Sequence, residues 1–185
     1  MKHVVGFITG HSARGCTGLS QEQWDFQRRS AVPEENWLRH NFPWQETFPF
    51  PEPFHLLSAS WNNVRHYFES RRPVFREQHR AGVVELFARH DAVILLAGSC
   101  GLELLNNLDL PAETRGRLHV FAYGPVSRRR PEVASCFMVQ GEGDVISRTF
   151  HRHAEARFPC PHMGYLAAAE TRRLFESFYR GVVAS

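Results

Sequence analysis

The stretch DAVILLAGSCGLELLNNL, from Asp91 to Leu108, ends an apolar run at Ala97-Gly98-Ser99-Cys100-Gly101 and starts an amphipathic run at once. Three chemistries fit such a junction: a plain strand-to-helix turn, a phosphate cradle of backbone N–H groups, or an exposed nucleophile, Ser99 or Cys100. An ordinary hydroxyl is a poor nucleophile at neutral pH and needs a general base and an orienting acid. Carboxylates follow in GEGD (Glu142 and Asp144), and imidazoles in His151, His153 and His162. Near the N-terminus, TGHSARG brings Gly10, His11 and Ser12 into one small-residue turn. The phosphate reading, that of a nucleotide-binding doubly wound module, lacks its spacing. Gly6, Gly10, Gly15, Gly98 and Gly101 match neither Gly-x-Gly-x-x-Gly nor a Gly-Lys-Ser/Thr loop. His151, His153, Cys160 and His162 cluster in sequence, but a short His-x-His is more readily a surface loop, so neither metal nor cofactor is expected.

Elements must carry these residues to one place. His3–Thr9, Ala92–Ala97, Leu118–Tyr123 and Cys136–Gln140 are short, apolar and rich in Val, Ile, Phe and Leu, which predicts strands. Their apolarity is continuous rather than alternating, as in parallel strands covered on both faces. Helical periodicity runs through Trp61–Tyr67, Val74–Arg89, Leu102–Leu108 and Tyr165–Val182, with a break at Pro73. In the second, Val74, Gln78, Val83, Leu86 and Phe87 mark an inner stripe; in the last, Leu166, Leu174, Phe175, Phe178 and Tyr179 do. Strands alternating with helices predict a three-layer α/β/α sandwich on a reduced, mostly parallel sheet of about five strands.

One region interrupts the alternation. Residues 12–60 hold Pro33, Pro43, Pro49, Pro51 and Pro53 among many aromatics, including Trp24, Trp37 and Trp44. A connection this long tends to be functional, and its aromatics argue against disorder. It reads as a cap or lid within a single domain spanning 1–185, with Gly10 and the three tryptophans as expected substrate contacts.

The bulk properties fit that size. The chain has 185 residues, 43% hydrophobic and 22% charged, with a formal charge of +3, as in an ordinary globular protein. Lys2 is the only lysine, so the basic side is arginine, interspersed with acids; nucleic acid is not an expected partner. Arg128-Arg129-Arg130 reads as a solvated loop between Pro125 and Pro131. No secretory signal or membrane span is legible, and Cys16, Cys100, Cys136 and Cys160 are scattered as free thiols usually are. A cytoplasmic protein is the expectation.

Ala97-x-Ser99-x-Gly101 resembles the nucleophile elbow of the α/β-hydrolase superfamily, where strand and helix pass so closely that the positions two before and two after the nucleophile must be small. Cys100 as nucleophile would set Gly98 and Leu102 at those positions, and leucine is too large. In that superfamily the acid and the histidine follow in this order. Gly141-x-x-Asp144-Val145-Ile146 resembles its acid turn, and His162-x-Gly164-Tyr165 resembles its histidine loop. The resemblance therefore implies Ser99 as nucleophile, His162 as base and Asp144 as orienting acid, with Glu142 as the backup acid. It implies an oxyanion hole of the Cys100 N–H and a second N–H from His11 or Ser12. The implied activity is cleavage of an ester or thioester of a small, apolar acyl substrate. A histidine base must be neutral to act, so activity should rise with pH through roughly 6.5, where histidine ordinarily titrates. The other reading that keeps the fold is a catalytically silent binding protein. The chain is short for the superfamily, which makes a homodimer a further expectation.

Overall fold

Among the described residues, five strands lie in one sheet, each beside its neighbour in sequence: β1 (His3–Ile8), β2 (Ala92–Gly98), β3 (Leu118–Tyr123), β4 (Ser135–Gly141) and β5 (Ala156–Phe158). The computed structural model describes residues 1–11, 16–45 and 56–185, with side chains in the last range from 62 onward. Every strand pair is parallel, so the protein is α/β with a five-strand, all-parallel sheet rather than a mixed one. Parallel order gathers the C-terminal ends of all five strands at one rim, the rim where α/β proteins bind ligands.

Interior strand β2 is buried along its whole length, as its unbroken AVILLAG run requires. Alternate residues point to opposite faces. Val93, Leu95 and Ala97 enter one core, and Ala92, Ile94 and Leu96 the other. The first core is closed by Phe75, Val83 and Phe87 of helix α3 (Pro73–Ala88) and by Leu102, Leu104 and Leu105 of α4 (Gly101–Asn107). The second is closed by Phe26 of α1 (Gln21–Arg29) and by Phe175, Tyr179 and Val182 of α7 (Ala169–Val183). Each such fully buried side chain stabilises the fold by about 1.5–3 kcal/mol before entropy is counted. The remaining helices are α2 (Leu56–Glu69), α5 (Ala112–Arg115) and α6 (Val145–Phe150). Among the described residues, no helix is long and apolar enough to cross a membrane.

Three details depart from the sequence reading. The inner stripe of α3 is Phe75, Val83 and Phe87, and Val74 is exposed. Pro73 occupies the first turn, and Val83 and Phe87 keep their expected places in the stripe. Arg128 is not simply solvated: its Nε lies 2.7 Å from Oε1 of Glu103 and its backbone N–H donates to Oε2 at 3.0 Å. The Glu103 side chain is wholly buried, so the loop after β3 is clamped by its pairing. Arg130 likewise meets Glu155 at 2.6 Å.

Trp37 and Trp44 are also positioned by the sheet. The segment from Trp37 to Trp44 runs beside the outer edge of β1: Leu38 N–H donates to Val5 O and Phe42 N–H to Phe7 O. The two indoles then fold over opposite faces. Trp37 stacks on Phe7 with centroids 5.5 Å apart, and Trp44 lies against Phe87 and donates its Nε1–H to Phe7 O at 2.9 Å. An uncovered edge strand is a template for unwanted pairing, and this part of the predicted insertion removes it.

Candidate active site

Ser99 is the first residue past β2, and its φ of 49° lies in the left-handed region that a side-chain-bearing residue enters only under constraint. The constraint is visible. Ser99 N–H donates to Tyr123 O, and Ser99 O accepts from Val126 N–H, pinning both sides of the turn to the end of β3. Helix α4 then starts so close to β1 that a β-carbon on Gly101 would stand 1.8 Å from Ile8 O. No residue with a side chain fits there.

Asp144 follows β4 and caps α6, its Oδ1 accepting the Ser147 N–H at 3.0 Å. Its other oxygen, Oδ2, accepts from the Tyr165 hydroxyl at 2.7 Å and from His162 Nδ1 at 2.9 Å. Burial alone would raise the Asp144 carboxyl. The Ser147 N–H, the Tyr165 hydroxyl and His162 outweigh it and hold the group below the ordinary carboxylate range. An ionised Asp144 accepts only, so Nδ1 of His162 carries the proton and Nε2 presents a lone pair. That nitrogen lies 3.2 Å from Ser99 Oγ.

His162 itself sits in the turn after β5, closed by a Gly164 N–H to Pro161 O hydrogen bond at 3.0 Å. Tyr165 lies beyond that turn and ahead of α7, not on the helix. Its hydroxyl accepts the Gly141 N–H at 2.6 Å while donating to Asp144, so one phenol ties the end of β4 to the acid. The Gly-Tyr pair drew attention in the sequence only as an approach to a helix, and this tie was not legible there.

The structure thus brings Ser99, His162 and Asp144 into one hydrogen-bonded relay. Glu142 is exposed, and the described contacts give its carboxylate no place in that relay. His151 turns away to hydrogen-bond Ser127 Oγ at 2.9 Å, and His153 is exposed. Cys100 is buried, and burial pushes its thiol up to about 12, far from the thiolate a cysteine nucleophile needs. Its backbone N–H, at the start of α4, stands beside its own thiol and takes no acceptor from any other described residue. His11 N–H does take one, Nδ1 of His66 at 3.4 Å. Ser12 lies outside the described residues. Among those residues, no group of three or more His, Cys, Asp or Glu could hold a metal ion.

A cavity of about 450 Å³ opens over Ser99 and His162. Gly10 lines it, but Trp24, Trp37 and Trp44 do not. Trp24 is 41% exposed on α1, and the other two are committed to β1. The apolar wall is supplied instead by α2 and α6: Val64, Phe68, Ile146 and Phe150, joined by Met163 beside His162. Tyr67 and Phe150 meet across it with ring centroids 6.3 Å apart. All five wall residues are exposed, so the wall was hidden from a sequence reading that sought buried stripes. Ser20, Glu22, Gln23 and Asn41 add polar groups to the lining. Comparison with protein-family models and with curated proteins finds no match for this chain.

Proposed function

We propose that the protein is a serine hydrolase of the α/β-hydrolase type, cleaving an ester or thioester with a small apolar acyl group. The observation that carries this reading is the relay: Ser99 Oγ to His162 Nε2 at 3.2 Å, and His162 Nδ1 to Asp144 Oδ2 at 2.9 Å. Hydroxyl, imidazole and carboxylate come from the ends of β2, β5 and β4, in the chain order serine, acid, histidine that the sequence motifs resemble. The left-handed backbone at Ser99 and the closed-off Cys100 thiol support serine over cysteine as nucleophile.

In this mechanism Ser99 Oγ attacks the carbonyl carbon while its proton passes to His162 Nε2. Asp144 holds the Nδ1–H tautomer and stabilises the imidazolium. The tetrahedral intermediate puts negative charge on the former carbonyl oxygen, and the Cys100 N–H is positioned to donate to it. Collapse breaks the bond to the leaving alcohol or thiol, which departs with the proton from His162. Water then attacks the acyl-serine, giving its proton to His162, and the acid is released as Ser99 regains its proton. The apolar wall on α2 and α6 suits the acyl group, at about 0.8 kcal/mol per methylene buried.

Fluorophosphonate labelling tests the reading directly, since only an activated serine reacts. Wild type is expected to label at Ser99 and to hydrolyse p-nitrophenyl esters, and Ser99→Ala to keep its fold while losing both. Turnover retained in that variant, or no labelling of wild type, rules the reading out.

A further inference from the structure

Helix α2 touches the loop after β1 at two points one turn apart. At the second, His66 accepts the His11 N–H, with the two rings 4.4 Å apart. At the first, three residues earlier and so on the same face, Asn63 sits directly over Gly10. A β-carbon on Gly10 would stand 2.3 Å from Asn63 Oδ1 and 2.6 Å from Cys100 Sγ. Gly10 therefore meets both the Asn63 carboxamide and the thiol of the residue that follows Ser99, and Asn63 lines the Ser99 cavity. Among the described residues its Oδ1 is buried without a hydrogen-bond partner. Buried polar groups without partners are rare and call for an explanation. Ordinary packing supplies none here, because a leucine or methionine would fill the same space on α2 without an idle amide.

The bound substrate supplies one. A tetrahedral oxyanion needs two preorganised donors, and asparagine side chains serve as such donors in hydrolytic sites. One donor is in place at Cys100. Of the backbone donors expected from the loop after β1, the His11 N–H is engaged by His66. We infer that Asn63 is a catalytic residue of this site: its Nδ2–H is the second oxyanion donor, facing the Cys100 N–H across the carbonyl oxygen of the bound ester. The inference rests on the hydrolase reading. A half-turn of χ2 exchanges Oδ1 and Nδ2, so the donor reaches the oxygen without any movement of the helix. Gly10 is required at its place because any side chain there would push the amide and Cys100 apart.

The experiment compares wild type, Asn63→Ala and Asn63→Asp in p-nitrophenyl butyrate hydrolysis. Binding of butylboronic acid, whose tetrahedral serine adduct imitates the oxyanion stage, is measured in parallel. Loss of one such donor lowers kcat about 10²–10³-fold. Asn63→Ala is expected to show that loss with KM changed only a few-fold, and to weaken the boronic acid by a comparable factor. Asn63→Asp, nearly isosteric, is expected to lose at least as much, because a carboxylate opposes the developing charge; it also keeps the test open if the alanine variant misfolds. An unchanged kcat in both variants overturns the inference while leaving the hydrolase reading intact. So does a raised KM with kcat unchanged, which would make Asn63 a binding residue. A wild type that neither labels with fluorophosphonate nor hydrolyses the ester overturns both.

Discussion

Tyr165→Phe removes one oxygen that serves two partners, and the geometry fixes the expected effect. The residue is 2% exposed, so water cannot replace the lost group without rearrangement. Its hydroxyl donates to Asp144 Oδ2 at 2.7 Å and accepts from Gly141 N–H at 2.6 Å. A hydrogen bond to a charged group contributes about 1.5–3 kcal/mol, and a buried N–H left unpaired costs about 1–3 kcal/mol. The two share one atom and do not add fully, so the expected destabilisation is about 3 kcal/mol. In a domain of this size that corresponds to a fall in Tm of about 6–12 °C. The deficit has a pH signature. Asp144 has a folded-state pKa below its unfolded value, so its contribution is present above the unfolded value, near 3.9, and fades as pH falls through the folded one. Removing the Tyr165 donor raises the folded value and shrinks that contribution. The gap between wild type and variant should therefore be widest at neutral pH and narrow in acid, where only the Gly141 penalty remains. Differential scanning calorimetry at about pH 7 and at acid pH reads both quantities. A deficit below about 1 kcal/mol at neutral pH, or one that is the same at both pH values, would refute the assignment of Tyr165 as the tie between β4 and the acid.

Asp144→Asn should lower kcat by about 10³–10⁴-fold through the wrong imidazole tautomer, whereas Glu142→Gln should leave steady-state hydrolysis nearly unchanged; equal losses would displace Asp144 from its role. Iodoacetamide should leave ester hydrolysis intact under conditions where fluorophosphonate abolishes it, because the Cys100 thiol is buried and held at about 12; inactivation traced to alkylated Cys100 contradicts the nucleophile assignment. Gly101→Ala should destabilise by at least about 3 kcal/mol or prevent soluble expression, since its β-carbon meets Ile8 O at 1.8 Å; a wild-type urea midpoint would disprove that contact. Burial, with His11 and His79 nearby, pushes His66 down to about 3. Its folded value lies below the unfolded one, near 6.5, so the stability it brings is complete above that pH and is lost as pH falls toward 3. The urea midpoint should drop over that window and flatten in His66→Asn; an unchanged slope in the variant would locate the acid sensitivity elsewhere.

The residues that announced themselves in the sequence were those whose neighbours are also sequence neighbours. AVILLAG could only be a strand buried on both sides, and the small residues around Ser99 answer a steric demand set within five positions. What escaped depends on distant partners or very short elements. Strand β5 has only three residues, and its middle one, Arg157, is exposed, so no periodicity exists to find. Helix α1 carries a complete capping box from Ser20 to Gln23, a signal present in the sequence but lost among the surrounding aromatics. Those aromatics suggested a substrate wall, yet Trp37 and Trp44 satisfy an edge-strand problem instead. Asn63 and His66 gave no sign at all, because their meaning comes from Gly10 and His11, far away in the chain and adjacent only once α2 has docked.

The sequential order of the strands sets a timetable for the chain as it is made. The serine turn is synthesised well before the carboxylate beyond β4, and the imidazole arrives last, after a strand of three residues. A nascent polypeptide halted just ahead of His162 would hold all five described strands and its Ser99 hydroxyl without the imidazole. On the proposed hydrolase reading, reactivity would thus be withheld until the fold that confines it had formed around it.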